Sequence, residues 1–175
     1  MSNRSKWNSK YTQGLYTLVN VEKYIGNPTD IKFRSSWEYA FCKYLDLNEK
    51  IIKWSCEQPI ITYQDLRNKV HRYYPDFYYE MLKNGDPNNL ERVIVEIKPS
   101  VELYPPEKPK NETGKALENY EYAVRTHVKN KLKWNAAEDY AKSRNMKFVI
   151  ITEDTLIKHG LIPPKNSSKN KKYKK

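Results

Sequence analysis

The sequence predicts an α/β domain in which a mixed β-sheet lies between helices. Three observations predict it. Apolar residues recur at helical spacing over residues 35–45, short β-branched and aromatic runs fill residues 51–98, and a long helical pattern over 116–144 leads into one more apolar run. The order helix, three or four strands, helix, strand is that of a sheet covered by helices.

Taken along the chain, residues 11–34 lack a clear period and carry turn chemistry at Gly26-Asn27-Pro28, which predicts an extended arm over the domain. From Ser35 onward, Trp37, Ala40, Phe41, Tyr44 and Leu45 fall on one helical face. Ile51 to Trp54 and Pro59 to Tyr63 read as strands, separated from the next by a turn over Asp65 to Lys69. Val70 to Leu82 is so dense in Tyr and Phe that it suits a sheet, and Asn84-Gly85-Asp86-Pro87 ends it. Arg92 to Lys98 alternates, with Val93, Val95 and Ile97 on one face and Ile94, Glu96 and Lys98 on the other. Prolines at 99, 105, 106 and 109 predict a loop, and Ala116 to Arg144 a long helix with at most one break. Phe148 to Thr152 reads as a buried strand. A last helical turn, Glu153 to Lys158, has acids at its start and Gly160 just past its end, where dipole and C-cap chemistry favour them.

At 175 residues the chain suits one compact domain, divided here into an arm over 1–34, a domain over 35–162 and a basic, disordered tail over 163–175. The net charge of +11 is unevenly placed. Residues 1–10 hold Arg4, Lys6 and Lys10, and residues 165–175 hold six lysines, with no acid in either segment, so the body between is close to neutral. Such tails can bind phosphate backbones or simply be solvated ends. Fifteen tyrosines and four tryptophans against five glycines exclude a disordered body, because those rings need burial or stacking. Cys42 and Cys56 lack zinc-ligand spacing and are expected to be reduced thiols in a cytosolic protein. No apolar stretch is long enough for a membrane helix, so a soluble protein without membrane partners is expected.

The residues that carry chemistry are acids and lysines on the predicted strands. Tyr73-Tyr74-Pro75-Asp76-Phe77 places one acid in a hydrophobic stretch, and Val95-Glu96-Ile97-Lys98 places another beside a lysine on the same strand face. Charged groups inside apolar strands are costly unless they are used. Phosphodiester cleavage needs this set: oxygen ligands for a divalent cation, and a positive group against the charge of the pentavalent phosphorus. If the two strands pair, Asp76 and Glu96 can share one metal with a backbone carbonyl near Ile97, and Lys98 faces the attacking water as general base or charge stabiliser. Mg²⁺ is the default ion, and Mn²⁺ suits the same oxygens. Glu38 reads differently, because Ser35-Ser36-Trp37-Glu38 is a capping box in which the glutamate satisfies helix amides.

Phe33-Arg34-Ser35-Ser36-Trp37-Glu38, Trp54-Ser55-Cys56-Glu57, His71-Arg72-Tyr73-Tyr74-Pro75-Asp76-Phe77 and Val95-Glu96-Ile97-Lys98-Pro99, with the later Lys133-Trp134-Asn135-Ala136-Ala137 and Ile151-Thr152-Glu153, form an ordered set from about Tyr24 to Leu161. That set resembles the head completion nucleases of T-even-type tailed phages, which are similar to the PD-(D/E)xK superfamily and, in the first helix, to transposon end-cutting endonucleases. The resemblance implies a restriction-endonuclease-like core. It makes Glu38, Asp76 and Glu96 the acidic metal site, so that Glu38 both caps and binds metal, and Lys98 the catalytic lysine. It makes Lys133 a phosphate contact; Arg34, His71 and Arg72 are further DNA-binding candidates by residue type, each equally readable as an ordinary surface or loop residue. It further implies a virion or host-cytoplasm protein that cuts or trims packaged double-stranded DNA before the tail joins, in contact with portal or neck proteins.

Two rivals share these residues: a catalytically silent head-tail adaptor that binds portal protein and DNA, and a transposase-like or resolvase-like enzyme with a defined target. The intact acid-acid-lysine set speaks against the first. No helix-turn-helix or zinc module supports the second, and low sequence specificity is expected.

Overall fold

The computed structural model describes residues 12–164 apart from Gly85 and Glu112. The two basic terminal segments singled out from the sequence lie outside the described residues. The elements are β1 (Gly14–Leu15), β2 (Lys32–Phe33), α1 (Ser36–Leu47), β3 (Ile51–Cys56), β4 (Ile61–Gln64), β5 (Val70–Tyr73), β6 (Phe77–Lys83), β7 (Asp86–Ile97), α2 (Gly114–Ser143), β8 (Lys147–Ile151) and α3 (Glu153–Lys158), with short 3-10 turns at Val21–Lys23 and Ser100–Leu103.

The central sheet has the order β3-β6-β7-β8; β3, β6 and β7 are antiparallel neighbours, and β8 runs parallel to β7. It is the mixed sheet that the pattern predicts. A parallel neighbour needs a crossover, and α2 supplies it in one unbroken helix of 30 residues. Thr113 caps that helix, and Asn145, at φ 53, turns the chain back toward β8.

Alternation along β7 sorts the two faces. Val93, Val95 and Ile97 join Phe41, Leu45, Ile51, Trp54, Phe77 and Leu156 in one buried cluster beneath α1 and α3. Ile94 points the other way, into a second cluster with Ile61, Tyr63, Tyr73, Ala137 and Ala141 beneath α2. Burying a side chain of this size contributes roughly 1.5–3 kcal/mol, so the double-sided burial of β7 makes it the keystone of the sheet.

The segment before α1 is held by side chains. Asp46, on α1 and fully buried, accepts hydrogen bonds from the Tyr16 hydroxyl at 2.9 Å and from the amides of Val19 and Asn20 at 2.8 and 2.9 Å. Tyr16, Ile31 and Phe33 thereby sit in the same core as the sheet.

Two elements differ from the sequence expectation. The buried strand expected over Phe148 to Thr152 is β8, which ends at Ile151 and is only half-buried at the edge of the sheet. The aromatic run from Val70 to Leu82 is two strands in two sheets, because β5 pairs with β4 in a separate ribbon while β6 joins the central sheet. The break falls at Tyr74-Pro75-Asp76, where the proline supplies no ladder donor. Asp76 therefore stands at the entrance of β6 and not within a strand.

Candidate active site

The β6–β7 register pairs Phe77 with Val95. One step further brings the Asp76 backbone opposite Glu96, and the Asp76 carboxylate is anchored there: its Oδ2 accepts the Ile97 amide at 2.7 Å. Glu96 lies on the α2 face of β7 and is 4% exposed. Its two oxygens have separate partners. Oε2 accepts the Tyr73 hydroxyl at 2.6 Å, and Oε1 lies 3.1 Å from Lys98 Nζ.

These acids are electrostatically frustrated. Burial, and next the charge of Glu96, push the Asp76 carboxyl up to about 8, against the pull of the Ile97 amide and Lys98. Two carboxylates in one crowded place cannot both ionise cheaply. Burial draws the Lys98 ammonium down, but Glu96 and Asp76 more than offset it, and Lys98 titrates above its ordinary value. Lys98 is thus a charged group in the metal-free protein.

Lys133 reaches the same place from α2. Its Nζ lies 5.2 Å from the centroid of the Tyr73 ring, and burial lowers its pKa while Glu96 and Asp76 pull the other way. Tyr73 is 2% exposed and is pushed well above the ordinary phenol range, by burial first and then by Glu96. Sequence reasoning did not single it out: among fifteen tyrosines nothing local marks the one that the β4–β5 ribbon carries under α2 to Glu96.

Glu38 stands in the first turn of α1 and does what the capping box predicts. Its Oε1 accepts the Ser35 hydroxyl at 3.0 Å, its Oε2 accepts the Arg34 amide at 2.7 Å, and its own amide donates to Ser35 Oγ at 3.1 Å. Its charge is nonetheless felt at Asp76. Among the described residues no group of three His, Cys, Asp or Glu side chains converges closely enough to hold a metal ion. The reason is local: Glu38 is turned into its cap, and Glu96 is divided between Tyr73 and Lys98.

The remaining candidates lie around this centre. Arg34 pairs with Glu57 at 2.5 Å, which raises its pKa, and it also senses Glu38 and Asp76, so it sits at the rim. Arg72 is exposed on the outer face of β5. His71 faces inward, stacked on Tyr63 with its Nε2 2.8 Å from Asp65 Oδ2. Both thiols are free, with Cys42 buried in α1.

The donor set fits a hard divalent cation. Asp76 and Glu96 offer carboxylate oxygens, and a cation between them relieves the burial of charge and the mutual repulsion that together lift Asp76 to about 8. Among the described residues no helix is long and apolar enough to cross a membrane.

Comparison with known proteins places this geometry. The family described as TnsA-like endonuclease N terminal matches residues 48–153, a span that contains Asp76, Glu96, Lys98 and Lys133 but neither Arg34 nor Glu38. The head completion nuclease of Enterobacteria phage T4 is 35% identical over 144 residues, covering 82% of this chain and 92% of that protein. No solved structure matches. A mixed sheet with a carboxylate pair at its centre, together with these two likenesses, shows that the chain belongs to the TnsA-like endonuclease family, with a restriction-endonuclease-like fold and a phage head completion nuclease among its relatives.

Proposed function

We propose that this protein is a divalent-metal-dependent deoxyribonuclease that cuts or trims packaged DNA during phage head completion. The observation that carries the reading is the pair of half-buried Asp76 and buried Glu96, mutually repelling and flanked by Lys98. The relative's name, a head completion nuclease, supports the setting of phage head completion, and in this reading the protein acts in the virion or host cytoplasm beside portal or neck proteins.

In this reading Asp76 and Glu96 hold Mg²⁺ or Mn²⁺, with Glu38 joining them when its carboxylate leaves the α1 cap. The cation supplies Lewis-acid polarisation of the phosphoryl oxygen and lowers the pKa of a water molecule. Tyr73 fixes Glu96 through Oε2, which leaves Oε1 as the variable oxygen. Lys98, already charged beside Oε1, offsets the negative charge that builds on the phosphate, the stabiliser role of the two the sequence leaves open. Lys133 and Arg34 contact backbone phosphates, which carry no sequence information, so cleavage has low sequence specificity.

The test is cleavage of supercoiled and linear DNA by the wild type and Glu96→Ala, in Mg²⁺ and in EDTA. Metal-dependent cutting by the wild type alone is the expected result, and nicked or shortened products separate endonucleolytic from exonucleolytic action. No cutting by the wild type with any divalent ion would put the silent adaptor in its place.

A further inference from the structure

The β4–β5 ribbon has an outer face and a tip that nothing in the fold uses. Its inner face, Ile61, Tyr63 and Tyr73, is buried beneath α2 against Ala137 and Ala141. At the tip Leu66 is 77% exposed, more than any other large apolar side chain among the described residues, and Val70 beside it is 60% exposed. Arg67, Lys69 and Arg72 are exposed and make no ion pair among the described residues.

This tip is rigidly built. Asp65 Oδ1 accepts the amides of Arg67 and Lys69 at 2.9 and 3.0 Å, and Oδ2 takes His71. The backbone closes across it, from Asp65 N to Lys69 O at 3.0 Å and from Asn68 N to Asp65 O at 2.9 Å, with Asn68 in the left-handed region at φ 61. Four hydrogen bonds and an acid–histidine contact thus hold an apolar side chain in water, flanked by cations. Holding a contact surface in shape beforehand lowers the cost of binding.

We infer that the β4–β5 ribbon grips the duplex beside the cutting site, with Arg67, Lys69 and Arg72 on phosphates and Leu66 wedged into the minor groove at a base step. This inference rests on the nuclease reading. Three observations choose duplex DNA as the occupant. An apolar wedge among basic side chains is the combination that minor-groove binders use to open a step. Thr62 and Gln64 share the outer face with Arg72 and offer further phosphate donors. Arg72 is four residues from Asp76, at most about 14 Å of extended chain, so DNA lying over the acids meets the ribbon within one helical turn, about 34 Å. His71 then serves as the strut of the tip and not as a phosphate contact.

The experiment compares the full chain with Arg67→Ala/Lys69→Ala/Arg72→Ala and with Leu66→Ala. Binding to a duplex carrying 2-aminopurine is followed by fluorescence in the cleavage-defective Glu96→Gln background, and DNA cutting in the Glu96-containing protein. The triple variant is expected to lower the slope of log affinity against log salt by about three and to raise KM with kcat unchanged. Leu66→Ala is expected to keep the slope and lose the fluorescence rise that marks unstacking, while Leu66→Met retains it. All substituted side chains are exposed, so melting temperatures should match the parent's. If the protein cuts DNA but the triple variant keeps slope and KM, or Leu66→Ala keeps the unstacking signal, the ribbon inference is wrong and the nuclease stands. If the wild type neither binds nor cuts, both readings fall together.

Discussion

Asp46 and Asp76 are both acids set among apolar side chains, and they live in opposite circumstances. Asp46 accepts hydrogen bonds from Tyr16, Val19 and Asn20 and faces no other acid in that knot. Asp76 has the Ile97 amide, and beyond it Glu96. The first has its hydrogen bonds made and fastens the N-terminal segment to α1. The second is an under-satisfied acid whose ionised form is costly until something positive arrives. Burial of an acid is therefore no sign of function by itself; too few hydrogen bonds and a second acid beside it are.

The two acids should diverge most when each is removed. Glu96→Ala and Asp76→Ala should each reduce DNA cleavage by at least about 10³-fold, the scale lost when a central electrostatic group is removed, with circular dichroism unchanged. Asp46→Ala should do the reverse. It strands three donors and should cost roughly 3–5 kcal/mol of stability, read from urea denaturation, while the specific activity of the molecules still folded persists.

A subtler contrast appears with pH in EDTA. Asp76 binds its proton more tightly folded than unfolded, its pKa rising from 3.8 to about 8. The stability this group contributes is therefore fully present below pH 4 and is lost as pH climbs toward 8. The melting temperature of the wild type should fall over that window more steeply than that of Asp76→Asn. Parallel curves would mean that Asp76 is not under strain. Smaller again is Tyr73→Phe, which removes the 2.6 Å hydrogen bond to Glu96. It should reduce cleavage roughly 10-fold and weaken Mg²⁺ binding measured by calorimetry by about as much, the scale seen when the partner of a metal-ligating group is lost.

Much of this was legible in the sequence, for physical reasons that also set the boundary. The period of Trp37, Ala40, Phe41, Tyr44 and Leu45 marks α1, and the capping box marks its start, because both are local. Alternation in Val93 to Lys98 assigns β7's faces correctly, placing Glu96 and Lys98 on the α2 side. The break at Pro75 was hidden by aromatic residues that suit either side of it. Residues 11–34 show no period, and Tyr16, Val19 and Asn20 within them are held by a remote acid, Asp46, that no local pattern points to. The Tyr73–Glu96 contact requires a tertiary placement, a ribbon carried under α2, that no local pattern encodes. Glu38 shows how one side chain can bear two readings: the cap is visible in its hydrogen bonds, while the metal role rests on resemblance.

On the proposed function, the strain at Asp76 and Glu96 readies the site for a cation. The most direct test is the melting temperature at pH 8 with and without Mg²⁺ for the wild type, Asp76→Asn and Asp46→Asn. A cation that binds only the folded state raises stability in proportion to its affinity. A rise is expected for the wild type and for Asp46→Asn, and none for Asp76→Asn. An equal rise in all three, or no rise in the wild type with either Mg²⁺ or Mn²⁺, would contradict it.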